Sequence, residues 1–147
     1  MNEHRLIHVP LGGPGPLPTL SPDIYRAMGE EKIFAMIGDF YGELGRSEIR
    51  PMFGEDLAAA SRRSAAFFVQ LLGGPRLYDE RYGNPMLRRR HLPFKIDEAA
   101  RKVWLGCFYR TLEDAPGRYG FPPEHLEAFR GWLDGFSAWM VNTRDGV

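Results

Sequence analysis

The sequence predicts an all-α protein. Apolar residues recur at helical spacing in successive stretches, glycine and proline separate those stretches, and no segment sustains the strict alternation of a strand. Residues 10–18 read Pro-Leu-Gly-Gly-Pro-Gly-Pro-Leu-Pro, which has neither period and removes backbone donors. Residues 1–20 are therefore expected to form a flexible arm and residues 21–147 a single helical domain.

The elements follow in order. Ser21, Pro22 and Asp23 supply a cap, a first-position proline and a charge matched to the helix dipole, and Gly29 ends this short helix. A second helix runs from about Glu30 to Leu44, where Ile33, Ile37, Phe40 and Leu44 make one stripe that Phe34 and Tyr41 widen; Gly45 closes it. Ser47 to Met52 suit a single turn leading to Phe53. A helix starting near Asp56 places Leu57, Ala60, Ser64, Phe67, Phe68 and Leu71 along one face, and Gly73-Gly74-Pro75 stops it. Residues 76–96 are too punctuated for a long helix, although Asn84 and Pro85 can start a short one, Met86 to Leu92, that Pro93 ends. Asp97 caps a longer helix with Ala100, Val103, Trp104, Cys107 and Phe108 inward. After Pro122-Pro123, the residues Leu126, Phe129, Leu133, Phe136 and Met140 trace the last amphipathic helix.

Composition narrows the function classes. The chain has 147 residues, enough for one domain, with 44% apolar and 26% charged residues. Lys plus Arg (19) balances Asp plus Glu (19), so no global field would attract nucleic acid. No run is long and apolar enough to span a membrane or to read as a secretory signal. The single cysteine, Cys107, suits a reducing, cytoplasmic setting. Ten Phe, six Tyr and three Trp are a large aromatic volume for this length, consistent with a well-filled core or with a core built around something flat.

Most familiar chemistries find no residues here. His4 and His8 stand at i, i+4, but beside the Pro/Gly stretch where no helix is expected; His91 and His125 have no partner at helical spacing. Prolines strip Gly12-Gly13-Pro14-Gly15 of the N–H groups a phosphate loop needs, and Cys107 reads as a packed thiol. What remains is His91 on a short proline-bounded helix, with Trp104 following 13 residues later. A single histidine holds a metal only if the metal brings its other ligands, as haem does, leaving an axial site for imidazole. The Leu87 carbonyl, one turn earlier, could accept from Nδ1–H and aim Nε2 at iron. On these grounds alone His91 also reads as an ordinary histidine, and Trp104 as plain core.

The ordered set Leu72-Gly73-Gly74-Pro75, Tyr78, Gly83-x-Pro85-x-Leu87-Arg88-x-Arg90-His91-x-Pro93-Phe94 and Trp104-Leu105-x-Cys107 resembles the truncated haemoglobins, and the Arg-His-x-Pro-Phe run resembles their second group. The resemblance covers roughly residues 22–141 and departs from the family at Asn84, where relatives often carry His, and at Phe53, where they often carry Tyr. It implies a two-over-two helical sandwich around haem b, with His91 as the proximal iron ligand. Tyr41 and Trp104 would stabilise the bound ligand from the distal side, with Ala60 and Ser64 on the distal wall. Phe53, Phe67, Phe68, Leu87 and Phe94 would border the cofactor, the phenylalanines touching either haem or core. Tyr78, Arg88 and Arg90 become candidates for the propionates, since guanidinium matches carboxylate. Arg88, Arg89 and Arg90 do not all reach one carboxylate from so short a helix.

Two donors in a dry pocket imply a protein that holds dioxygen too long for a good carrier and turns it over, by nitric oxide or peroxide chemistry. A sensor or oxygen store acting through a partner is the alternative, and a haem-free interaction domain a third. Dioxygen, nitric oxide and carbon monoxide are the expected ligands. With no flavin or nicotinamide module in the sequence, a reductase would be a separate protein.

Overall fold

The computed structural model describes residues 17–83 and 95–143. The expected helix Met86 to Leu92 lies outside them. Among the described residues the structure is helical throughout: α1 (Asp23–Gly45), a 3₁₀ turn (Arg50–Phe53), α2 (Leu57–Leu71), α3 (Leu77–Tyr82), α4 (Glu98–Thr111), α5 (Ala115–Tyr119), a second 3₁₀ turn (Pro123–His125) and α6 (Leu126–Met140). None of these helices is long and apolar enough to cross a membrane. Helices α1 and α2 pack together, α4 packs on both α1 and α6, and the two pairs form a two-over-two sandwich.

Asp56 and Asp97 cap α2 and α4 as expected, whereas in α1 the expected first-position Pro22 is itself the cap residue and makes no side-chain cap bond. Ser21 Oγ accepts from the Asp23 N–H at 3.1 Å, Asp56 accepts from the Ala59 N–H at 2.9 Å, and Asp97 from the Ala100 N–H at 2.8 Å. Gly29 breaks α1 with φ 78° and ψ 166°, so the two expected helices are one element with a break. The break turns the Ile24–Met28 segment relative to the rest, and both halves bury their apolar side: Ile24, Met28, Ile33, Met36, Ile37, Phe40 and Leu44 are all buried.

Two short helices were not anticipated by the sequence reading. Helix α3 is a six-residue helix inside the stretch taken as punctuation, with Tyr78 its buried anchor. Helix α5 contains Pro116 and Gly117, and Pro116 sits in the first turn, where a missing N–H costs nothing. The arm also differs at its end: Leu17 and Leu20 pack against the core, and Pro18 and Leu17 lie over Gly131 and Gly135 of α6.

Helix α2 presents two faces. Ala65, Ala66, Phe68 and Val69 are buried and join the core shared by α1, α4 and α6, with Phe68 against Phe108 and Phe129. Ala60, Ser64 and Phe67, at i, i+4 and i+7, line the adjacent face and leave that core for a cavity.

Beyond α6 the chain folds back on the segment leading into α4. The Ile96 N–H donates to Asn142 Oδ1 at 3.0 Å, while the Asn142 and Thr143 N–H groups donate to the Ile96 carbonyl at 2.9 and 3.0 Å. The Thr143 hydroxyl donates to the same Asn142 Oδ1 at 2.9 Å. Asn142 and Thr143 are buried, and this clamp fixes Ile96 in place.

Candidate functional site

A cavity of about 480 Å³ lies between the two helix pairs. That is within the range of roughly 300–1,000 Å³ for small-molecule and cofactor sites. Tyr41 enters from α1, Met52 and Phe53 from the 3₁₀ turn, and Ala60, Arg63, Ser64, Phe67 and Phe68 from α2. Tyr78 of α3, Ala100, Arg101 and Trp104 of α4, and Phe136, Ser137 and Met140 of α6 complete most of the wall, with Ile96 just ahead of α4.

The structure brings Tyr41, Phe53, Ala60, Ser64, Phe67, Phe68, Tyr78 and Trp104 around this one cavity. Leu87, Arg88, Arg90, His91 and Phe94 lie outside the described residues. Phe68 straddles cavity and core, being almost fully buried. Phe67 sets its ring edge-on to Tyr78 at 6.1 Å and to Phe68 at 5.5 Å.

The polar groups gather on the side between α1, α2 and α4. Tyr41 packs edge-on against Phe40 and Phe53, with ring centroids 5.4 and 5.9 Å away. Burial pushes its phenol above the ordinary tyrosine range, opposed by a side-chain hydrogen bond with Ser64 and by the positive charge of Arg63. Tyr41 thus stays a neutral O–H donor at any physiological pH. Trp104 is wedged among Phe40, Phe108 and Phe136, at 5.4, 5.5 and 6.3 Å. Its indole N–H forms no hydrogen bond with any described residue. A half-buried donor of that kind, lining the cavity, is open to a ligand acceptor.

Two arginines in the wall went unnoticed in the sequence. Arg101 is largely buried, donating to Ser137 Oγ at 3.0 Å, Glu98 Oε2 at 2.7 Å and Asp134 Oδ1 at 2.7 Å, so its charge is spent on holding α4 to α6. Arg63 is exposed and forms no hydrogen bond or ion pair with a described residue. Neither stands in a motif that marks it out in the sequence. Spacing from Ala60 was the available signal for Arg63, three residues on and therefore on the same side of α2. Ile96, Phe136, Ser137 and Met140 reach the wall through tertiary packing that no local pattern announces.

Cys107 is fully buried and burial pushes its thiol up, while Arg110 donates to Sγ at 3.4 Å. It is a packed thiol away from the cavity lining. Among the described residues no three metal-ligating side chains cluster.

Comparison with known proteins gives the same shape. Residues 23–141 match the model of the family described as Bacterial-like globin. The chain is 38% identical over 119 residues to the group 2 truncated hemoglobin YjbI of Bacillus subtilis, covering 80% of this chain and 87% of that protein. Among solved structures, phosphate-bound Hell's gate globin IV superposes with a TM-score of 0.81 at 33% identity, over 98% of this chain and 87% of the other. The truncated oxygen-avid haemoglobin of Bacillus subtilis superposes with a TM-score of 0.72 at 36% identity, over 80% of this chain and 98% of the other.

Proposed function

Since this chain belongs to the bacterial-like globin family, as a truncated haemoglobin of the second group, we propose that it holds haem b in the cavity between its helix pairs. We propose further that it retains dioxygen there, through Tyr41 and Trp104, for reaction with nitric oxide or a peroxide. Globins bind haem and small gaseous ligands such as oxygen, and the described wall fits such a group. It is mostly aromatic and aliphatic, and none of its described members is a carboxylate that would repel the haem's own. His91 is the proximal ligand on the strength of the motif around it, and Tyr78, Arg88 and Arg90 are the propionate candidates.

Haem, when bound, supplies an iron centre that takes diatomic gases and changes oxidation state. The chain supplies the surroundings. Phe53, Phe67, Phe68 and Phe136 give the donors an apolar surround, in which a hydrogen bond to a ligand is stronger than in water. Tyr41 and Trp104 reach one cavity from α1 and α4, and the unspent Trp104 N–H is the observation that carries the reading. Two preorganised donors favour ligands that draw negative charge, dioxygen above carbon monoxide. The oxygen avidity of the Bacillus subtilis relative supports it. Such retention suits chemistry rather than transport. A separate reductase would restore the protein in the reducing cytoplasm that the lone Cys107 favours.

Purified protein should show a Soret band and a five-coordinate ferrous spectrum, which His91→Ala abolishes while His4, His8 and His125 variants keep it. Stopped-flow mixing of the oxygenated protein with nitric oxide should give rapid, stoichiometric nitrate. Slow or absent nitrate with intact oxygen binding would favour the sensor or store instead.

A further inference from the structure

Helix α3 is held from outside itself. It has six residues, too few for a stable helix alone, and its own cap residue, Arg76, makes no side-chain cap bond. The cap comes instead from α2. Gln70 Oε1 accepts from the Asp79 N–H at 3.1 Å, which satisfies one of the amides that a helix start leaves open. Gln70 Nε2 donates to Asp79 Oδ1 at 3.1 Å, so one side chain meets both the backbone and the carboxylate of the same residue. Arg76 Nε donates to Asp79 Oδ2 at 2.9 Å. Arg76 first, and Gln70 next, hold the Asp79 carboxyl below the ordinary carboxylate range. Three residues before Gln70 on α2, Phe67 meets the Tyr78 ring edge-on at 6.1 Å within the cavity wall. Two α2 side chains thus bracket Tyr78: Phe67 against its ring, and Gln70 on the backbone of the next residue.

We propose that Gln70, which does not line the cavity, is the positioning residue that keeps Tyr78 in the cavity wall and so lengthens the time the cofactor stays bound. The inference rests on the haem reading above and adds to it a residue outside the wall. The Arg76–Asp79 ion pair cannot take over this role, because both partners belong to the same turn and Arg76 is largely exposed. It tightens the start of α3 without fastening α3 to α2. Gln70 is the side chain that crosses between the two helices and meets an otherwise open amide. Without it the first turn of α3 frays, and Tyr78, almost fully buried, lies in that turn. Tyr82 follows one turn later with its ring centroid 5.1 Å from that of Tyr78, so the two rings move together.

Wild type, Gln70→Ala, Gln70→Glu and the pair Gln70→Glu with Asp79→Asn are to be compared as haem-loaded protein. The readouts are haem transfer to excess apomyoglobin and amide hydrogen exchange. Gln70→Ala should speed haem transfer about three- to tenfold, the scale of a lost helix cap. It should also speed exchange at Asp79 to Tyr82 while leaving the core amides of α1 and α4 unchanged. Gln70→Glu keeps an acceptor for the N–H but sets two carboxylates face to face, so it should resemble Gln70→Ala. Adding Asp79→Asn returns a donor to that pair and should restore the wild-type rates. On a Tyr78→Ala background, Gln70→Ala should add less than about twofold to haem transfer. Faster exchange in α3 with unchanged haem transfer overturns the inference, because the clamp would then serve the fold alone. Faster transfer with unchanged α3 exchange, or with faster exchange in α1 and α4 as well, also overturns it. So does an effect of Gln70→Ala that persists in full beside Tyr78→Ala. Wild-type protein that takes up no haem overturns the haem reading and this inference with it, whereas haem uptake with equal transfer rates in wild type and Gln70→Ala overturns this inference alone.

Discussion

Tyr41 and Ser64 line the same cavity, and the Ser64 side chain acts on the phenol against the effect of burial, so the Tyr41 O–H can face Ser64 or a ligand. Ser64 can reverse its own role and donate, because a hydroxyl both gives and accepts. Removing Tyr41 therefore costs the cavity a donor, whereas removing Ser64 only loosens the one that remains. A hydrogen bond to a charged group nets about 1.5–3 kcal/mol, and each 1.4 kcal/mol or so is tenfold in rate. Tyr41→Phe and Trp104→Phe should each speed oxygen release roughly 10- to 100-fold, with a much smaller change for carbon monoxide. Ser64→Ala should fall between wild type and Tyr41→Phe. The double variant should depart from additivity because both donors address one ligand. Off-rates for both gases across these variants check all of it, and wild-type oxygen release in both single variants would remove the donors from the site. Since burial holds the Tyr41 proton, oxygen release should also stay flat with pH up to about 10, the ordinary tyrosine value. Phe53 offers no second phenol to take over.

Between elements, the tightest joint is where α2 ends against the start of α1. The Tyr25 N–H donates to the Leu72 carbonyl at 3.0 Å, and the Gly73-Gly74 pair lets the chains touch. Gly73 has φ +106°, and a Cβ there would meet Pro22 Cα at 2.4 Å; at Gly74 it would meet the Tyr25 ring at 2.6 Å. Gly73→Ala should therefore destabilise the fold by about 2 kcal/mol or more, from strain and backbone collision together. Gly38 is the counterpart, a helical glycine with open space around its would-be Cβ, and Gly38→Ala should stabilise by up to about 1 kcal/mol. Urea midpoints of the two variants should move in opposite directions. The sequence showed this glycine pair as a helix stop, which is half of its role; the contact with Pro22 joins residues about 50 apart. The same division runs through the chain. Helices α2, α4 and α6 were readable because each carries a capping residue or an apolar stripe. Helix α3 was not, having six residues and no side-chain cap, and α5 was hidden by Pro116 and Gly117. At the site, Tyr41 and Trp104 were legible through the motifs that flank the chain around them, whereas Arg63 and Arg101 became visible only once the cavity wall closed.

Over the whole molecule, protons held by burial set the alkaline limit. Tyr41, Tyr119 and Cys107 are all raised, each chiefly by burial, and Tyr119 also by its hydrogen bond to Asp39 at 2.5 Å. The unfolded chain releases these protons near pH 8.5 for the thiol and 10 for the phenols, on the order of their ordinary values. The folded chain keeps them longer. Unfolding therefore releases protons above these values, and stability, fully present below them, should fall by about 1.4 kcal/mol per pH unit for each group. Tyr119→Phe should make that fall shallower while lowering stability at neutral pH, which denaturant melts from pH 7 to 11 would reveal. The clamp on Ile96 spans the chain as well: Asn142→Ala would strip a buried N–H of its acceptor and should cost about 1–3 kcal/mol. That clamp also has a consequence in time. A ribosome delivers the chain from its N-terminus, so α1 and α2 can dock while Asn142, 46 positions after Ile96, is still unmade. The Ile96 part of the wall cannot be fastened until residue 143 has emerged, so the cavity is completed later than the helices that enclose it. Nascent chains halted at Met140 should already be helical and yet hold no pigment.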